Sequence, residues 1–367
     1  MMKAMKPRRI LWVILALAAI LVALGFVWHF SRPSERSVTI GVIAGTTGQY
    51  AAAGEGYLRG FDLAMEEWNA AHSLKFGAIV EDDGFDAQKG VSAYQKLRNI
   101  DHVAAYAILS SFTIDAIYDQ LHAEGKPVAL GFEQTRPAQD DNIFQVLPAA
   151  LPVETALGQK VKSLGYAHPV AAVSNNTAVY QNFYEGFRNG FGRPVEEFRV
   201  GSDLGGIRSQ ALAIVSAKPD VVAFFMAPQD GAQLVKAILQ ITTMGTRPYF
   251  VFDQSVQSGG SDYQNILGSD APRIDGSLVA MSQNNFTPDF TVAFKAKYGE
   301  DPVFGSDMGY NSFMLLADTY DPSEKEWVAN MKTAQFAGAD GAVSFDSVGL
   351  RVPNIFFAKL KNGNVAQ

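Results

Sequence analysis

The chain has 367 residues, 48% of them hydrophobic and 18% charged, with a net charge of -7. That is enough apolar material for two cores and the wrong composition for a coiled coil or a disordered chain. Cysteine is absent, which excludes disulfides, a thiolate nucleophile, a Cys-ligated metal and a lipid-bearing cysteine. With no dense Lys/Arg run beyond the first ten residues, a nucleic-acid partner is not expected.

Lys3, Lys6, Arg8 and Arg9 precede an uncharged apolar run over residues 10–27, followed by Trp28, His29, Phe30, Arg32 and Pro33. The length suits one transmembrane helix. The leading positive charges should stay in the cytoplasm, which places the rest of the chain outside. Ala23-Leu24-Gly25 offers a small-x-small step for signal-peptide cleavage. Cleavage there leaves Phe26, Val27, Trp28 and Phe30 exposed, so an uncleaved anchor is the favoured reading. Residues 1–36 are therefore read as cytoplasmic tip, anchor and linker, on the periplasmic face of an inner membrane.

Beyond Ser37, apolar runs at 38–43, 76–80, 103–109, 127–131, 169–173, 221–226 and 249–252 read as parallel strands covered on both faces. Amphipathic helices separate them. Leu58, Phe61, Met65 and Trp68 share one stripe, and Ala87, Val91, Tyr94 and Leu97 another, after an N-cap at Asp86. Ile114, Ile117, Tyr118 and Leu121 mark a third, and Leu234, Ile238 and Ile241 a fourth. The alternation predicts an α/β fold with doubly wound sheets. There are too many units for one sheet, and Leu147-Pro148 marks the break.

Motifs for chemistry are weak. Gly54-x-Gly56-x-x-x-Gly60 is one residue too long for a dinucleotide fingerprint and lies past the strand tip, so helix entry and close packing explain it. Glu81-Asp82-Asp83 lacks the ligand series of a calcium loop and reads as solvated carboxylates. The five histidines show no zinc spacing, and no Gly-x-Ser-x-Gly elbow occurs. A hydrolase is the least favoured class, and no cofactor, metal or catalytic residue is expected.

Several stretches together resemble the type I periplasmic solute-binding proteins of ABC transporters, in the branch that binds branched-chain amino acids and amides. They are Ile40-Gly41-Val42 through Tyr50, Gly54-Glu55, Arg59-Gly60 and Asn69-Ala70-Ala71; Glu81-Asp82-Asp83 with Gln95-Lys96-Leu97; and Ser110-Ser111 with Gly125-Lys126-Pro127. Near the end, residues 341–346 and 355–360 resemble a closing hairpin.

The resemblance implies two Rossmann-like lobes joined by three crossings, with a ligand in the cleft and hinge closure. Lobe 1 is expected at 37–147 plus 275–332, and lobe 2 at 148–274 plus 333–367. It further implies a small-molecule ligand, amino acid or amide-like, delivered to ABC permease subunits. The alternative is a membrane-anchored sensor acting through a partner protein.

Strand-end loops should face the cleft. Ser110, Ser111 and Thr113 open a helix whose amides suit an anion, although capping alone also explains a serine there. The resemblance adds Thr135 and Tyr180, and it sets Asp253 or Gln254 where a ligand ammonium is held. Glu133 offers another acid, Tyr50 stands in for an aromatic at Ala53, and Gln229 lies on a further strand-end loop.

Overall fold

The computed structural model describes residues 37–48, 50–133, 142–175, 178–201, 206–243, 245–258, 261–282 and 286–366. The expected anchor and Thr135 lie outside the described residues. Among those described, no helix is long and apolar enough to cross a membrane.

The first half alternates β1 (Ser37–Ile43), α1 (Ala51–Ala71), β2 (Lys75–Glu81), α2 (Ala87–Asn99), β3 (Ala105–Ile108), α3 (Ser111–Glu124), β4 (Val128–Leu130) and β5 (Ile143–Pro148). The second half runs α4 (Ala150–Ser163), β6 (Pro169–Ser174), α5 (Ala178–Phe191), β7 (Glu196–Val200), α6 (Ile207–Ser216), β8 (Val221–Phe225), α7 (Pro228–Ile241) and β9 (Tyr249–Phe252). Two short helices, α8 (Ser255–Ser258) and α9 (Asp262–Leu267), and a 3-10 turn lead to β10 (Leu278–Met281). The chain then returns through α10 (Pro288–Tyr298), α11 (Ser306–Asp318) and α12 (Glu324–Lys332). It ends with β11 (Gln335–Gly338), β12 (Gly341–Ser344), β13 (Leu350–Arg351), β14 (Phe356–Lys361) and β15 (Asn364–Ala366).

Two sheets result. The first has the order β13-β5-β4-β3-β1-β2 and the second β15-β14-β10-β9-β8-β6-β7. The first is parallel throughout, and in the second only β14 is reversed, running antiparallel to both its neighbours, β10 and β15. All seven strands expected from the apolar runs form. β7 was not anticipated because its sequence, Glu-Glu-Phe-Arg-Val, is that of a half-exposed edge rather than a buried run.

The chain passes between sheets after β5, between β10 and α10, and between β13 and β14. The expected division at 275 needs correction, because β10 pairs with β9 and β14 in the second sheet. The expected closing hairpin is also corrected. β12 pairs with β11, and β14 pairs with β15, so the two runs belong to separate hairpins. β13 joins the first sheet beside β5.

Close packing explains the glycines. A Cβ on Gly60 would lie 1.8 Å from the Ser306 carbonyl oxygen, and one on Gly309 1.8 Å from that of Tyr57. α1 and α11 thus touch backbone to backbone. This rotates α1 so that Tyr57, Gly60, Phe61 and Ala64 face inward. Of the expected stripe only Phe61 is fully buried, while Leu58, Met65 and Trp68 are half-buried. The other three stripes hold better. Asp86 caps α2 by accepting from the Gln88 and Lys89 amides at 2.9 Å each. Ile114, Ile117, Tyr118 and Leu121 are all buried.

Candidate functional site

In each doubly wound sheet, strand order reverses beside the first strand of its half, and crevices open at the carboxyl ends of the strands there. In the first sheet this point lies between β1 and β3, below Tyr50 and the start of α3; in the second it lies beside β6, below the start of α5. A cavity of about 360 Å³ joins the two points. Its wall on the first side includes Tyr50, Phe85, Ser111, Phe112, Phe132 and Glu133; the second side contributes Ala178, Val179, Tyr180, Phe183 and Ser255. Leu147, at the first crossing, and Asp115 on α3 complete it.

The aromatic wall is built from the loops up. Tyr50 meets Phe85 edge-on with centroids 5.2 Å apart, and Phe85 lies 6.0 Å from Phe132. Phe85 has φ +57°, a left-handed conformation that a bulky residue adopts only under constraint. The constraint comes from the acidic stretch before it. Asp83 accepts from the Phe85 amide at 3.0 Å, and Asp82 accepts from the amides of Thr46 and Gly84 at 2.8 and 2.9 Å. Asp83 is fully buried. The sequence reading of solvated carboxylates is therefore corrected for Asp83, while Asp82 is exposed as expected; both acids hold the loop that presents Phe85. Gly45 leaves the room, since a Cβ there would sit 2.2 Å from the Phe85 ring. Opposite, Tyr180 packs edge-on against Phe183 at 5.8 Å.

The predicted residues divide as follows. Tyr50, Ser111, Glu133 and Tyr180 line the cavity. Ser110 is buried and caps α3, its Oγ accepting from the Thr113 amide at 3.4 Å. Such a cap contributes about 1 kcal/mol. Thr113 turns away and donates to Asp83 at 2.5 Å. Ser111 Oγ donates to the Glu133 carbonyl at 2.5 Å. Of the paired serines, Ser111 thus lines the cavity while Ser110 is buried as the helix cap. Gln229 is exposed on α7 and away from the cavity wall. Gln254 accepts from Ser282. Asp253 lies behind the wall, 1% exposed, with Oδ1 accepting from the Ser255 amide at 2.6 Å.

One group went unrecognised. Glu154 on α4 is fully buried, and neither carboxyl oxygen has a hydrogen-bond partner. Burial raises its pKa well above the carboxylate range, and the charges of Asp253 and Glu133 raise it further. The Gln254 amide offsets part of this without completing a hydrogen bond. Burial also lifts Glu133 to about 8, against one opposing bond from the Ala150 amide at 3.4 Å, and lifts Asp253 to about 7. Three carboxyls therefore cluster behind and beside the cavity, two from the second half and one from the first. A glutamate in a mid-helix position carries no signal in sequence that it faces inward. The one usable hint is that Glu154 follows Val153 and precedes Leu157 on the buried stripe of α4.

A second hollow of about 970 Å³ lies at the crossings, lined in part by Phe286, Asp340, Phe357 and Lys359. Asp340 is already bonded twice to Arg351 at 3.0 Å. Among the described residues no group of His, Cys, Asp and Glu is arranged to hold a metal.

Two doubly wound halves with a cavity at facing switch points define a two-lobed α/β binding protein. The sequence profile of the periplasmic binding protein family matches residues 37–364. The chain belongs to the periplasmic binding protein family, in its type I form.

Solved structures agree in fold. A Streptococcus pneumoniae branched-chain amino acid transporter substrate-binding protein in complex with isoleucine has TM-score 0.73 and 18% identity, covering 90% of this chain and 98% of that one. A leucine-binding protein from Thermotoga maritima has TM-score 0.71 and 19% identity, covering 90% and 97%. An R. palustris solute-binding protein in complex with benzoate has TM-score 0.69 and 18% identity, covering 90% and 95%. No curated protein matches the chain. The family is one of non-enzymatic solute-binding proteins, and membership implies a location outside the cytoplasm.

Proposed function

We propose that the protein captures a small amino acid or amide-like solute between its lobes and delivers it to an ABC permease. The observation that carries this reading is the cavity of about 360 Å³ whose wall is shared by strand-end loops of both sheets. The size suits a ligand of roughly amino-acid dimensions. Residues 37–147 with the returning segment 286–351 would form one lobe, and 148–282 with 356–366 the other. Ligand selection would draw on Tyr50, Ser111, Glu133 and Tyr180. The relatives with isoleucine and benzoate bound support a solute that joins an apolar body to a polar end. The positive residues and apolar run before Ser37 support tethering to the membrane, with the body outside.

Hinge closure is the testable consequence. Solution scattering should be recorded with whichever solute from a panel of amino acids, amides and arylalkylamines raises the melting temperature most. The radius of gyration should fall on saturation. A profile that does not change at saturation would count against closure around the ligand.

A further inference from the structure

We propose that Asp83, which does not touch the cavity, is a positioning residue that sets how large a ligand the cleft accepts, because its carboxylate joins the Phe85 loop to the first turn of α3. This rests on the cleft being the binding site, as proposed above. Asp83 follows β2 and is fully enclosed. Its Oδ1 accepts from the Phe85 amide at 3.0 Å, and its Oδ2 accepts from Thr113 Oγ1 at 2.5 Å. The two oxygens thus serve two parts of the cavity wall. One holds the loop that carries Phe85, the other the helix that carries Ser111, Phe112 and Asp115.

The surroundings are shaped for this link. Thr113 fits against α2 only because residue 90 is glycine, where a Cβ would lie 2.0 Å from Thr113 Oγ1. The Asp83 carbonyl accepts from the Asp86 amide at 2.8 Å and closes the turn into α2. The neighbouring Asp82 ties in the loop before Tyr50, accepting from the Thr46 amide and from Thr47 Oγ1 at 2.8 and 2.7 Å. Asp82 is exposed, so water can replace its bonds at small cost, whereas enclosed Asp83 has no such substitute.

Phe85 depends on this anchor. At φ +57° it sits in a left-handed region that a bulky residue leaves unless it is held. Its ring stands between Tyr50, 5.2 Å away, and Phe132, 6.0 Å away, and Phe132 lies 5.9 Å from Phe304. Without the Thr113 hydroxyl, Oδ2 is left buried with no donor, which is costly. The carboxylate then turns away and gives up the Phe85 amide. The loop relaxes toward an extended backbone and withdraws the ring, so bulky ligands gain room and small ones lose contact. Space of about one methylene in an apolar pocket changes discrimination about tenfold or more.

Two substitutions separate this role from plain packing. Thr113→Val keeps the shape and loses the donor, while Thr113→Ser keeps the donor and loses a methyl group. Full-length protein labelled with 4-fluorophenylalanine gives a fluorine NMR signal for Phe85, identified by its loss in Phe85→Leu. With no ligand added, that signal should move in Thr113→Val and stay in place in Thr113→Ser. Asp83→Ala should move it the same way, and Thr113→Val decides the matter where that variant does not fold. Calorimetry with isoleucine and tryptophan then reads selection. The affinity for tryptophan relative to isoleucine should rise about tenfold in Thr113→Val and match wild type in Thr113→Ser. In a Phe85→Leu background Thr113→Val should add nothing, because the residue it acts through is gone. An unmoved Phe85 signal in Thr113→Val, or an equal movement in Thr113→Ser, overturns the proposal. So does an affinity ratio that Thr113→Val leaves unchanged, or one that it changes equally in the Phe85→Leu background. If wild type binds neither amino acid, the ligand reading given above falls, and the fluorine signal alone decides whether Asp83 positions Phe85.

Discussion

An Asp340→Ala variant should lose about 3–5 kcal/mol of stability in denaturant unfolding, the cost of leaving a buried charge without its partner. Asp340 and Arg351 are 2% and 4% exposed. Two parallel bonds of 3.0 Å join them, Asn311 donates to Asp340 at 2.9 Å, and Arg351 also donates to the Val146 carbonyl at 3.2 Å. The cluster ties the β11–β12 turn, β13 and β5 together where the chain crosses between sheets. Removing the acid takes the carboxylate partner from a guanidinium that is almost wholly buried. The double variant Asp340→Leu with Arg351→Met should recover most of the loss, since an apolar pair of similar volume replaces ion pairs at little cost. If Asp340→Ala melts like wild type, the cluster does not hold the crossing.

Glu154→Gln should stabilise the protein relative to wild type above about pH 7, because the amide cannot acquire the charge that burial opposes. Burial, then Asp253 and Glu133, raise the folded-state pKa of Glu154. The fold therefore prefers the protonated acid. Stability on this account is full below the ordinary carboxyl range and is lost as pH rises through the folded values, about 7 for Asp253 and about 8 for Glu133. Burial moves Asp307 the same way, to about 7, with Asp340 adding to it. Melting temperature against pH should slope downward from about pH 5 to about pH 9 in wild type and less steeply in Glu154→Gln. A variant with the same slope as wild type would show that Glu154 does not titrate in this range.

The fold was legible where burial follows local pattern. Continuous apolar runs located β1, β3, β6, β8 and β9 because both sheet faces are covered, and the Asp86 cap located α2. The pattern was silent where long-range pairing decides. β13 is two residues long and exists because Leu350 pairs with Gln145 and Arg351 is fixed by Asp340. β10 reads as an ordinary apolar tetrapeptide, and nothing local says which sheet it joins.

At the candidate site, the strand-end rule named four residues that line one cavity, Tyr50, Ser111, Glu133 and Tyr180. The same rule misjudged Ser110 and Thr113, whose direction depends on the cap and on Asp83. It could not reveal Glu154, because helix rotation is set by the Gly158 and Gly190 contacts between α4 and α5. Phe85 was hidden for a related reason: its place depends on a left-handed backbone held by acids that looked solvated.

Native mass spectrometry of the purified protein bears most directly on whether one solute sits between the lobes. Wild type and Ser111→Trp should each be mixed with the same panel of amino acids, amides and arylalkylamines. Wild type should form a one-to-one complex with at least one member, and the tryptophan, by filling the cavity, should abolish it while the variant still unfolds cooperatively, with only the small loss of stability expected from the missing Ser111–Glu133 bond. A complex that persists equally in Ser111→Trp, or a wild type that retains no member of the panel, would contradict the account.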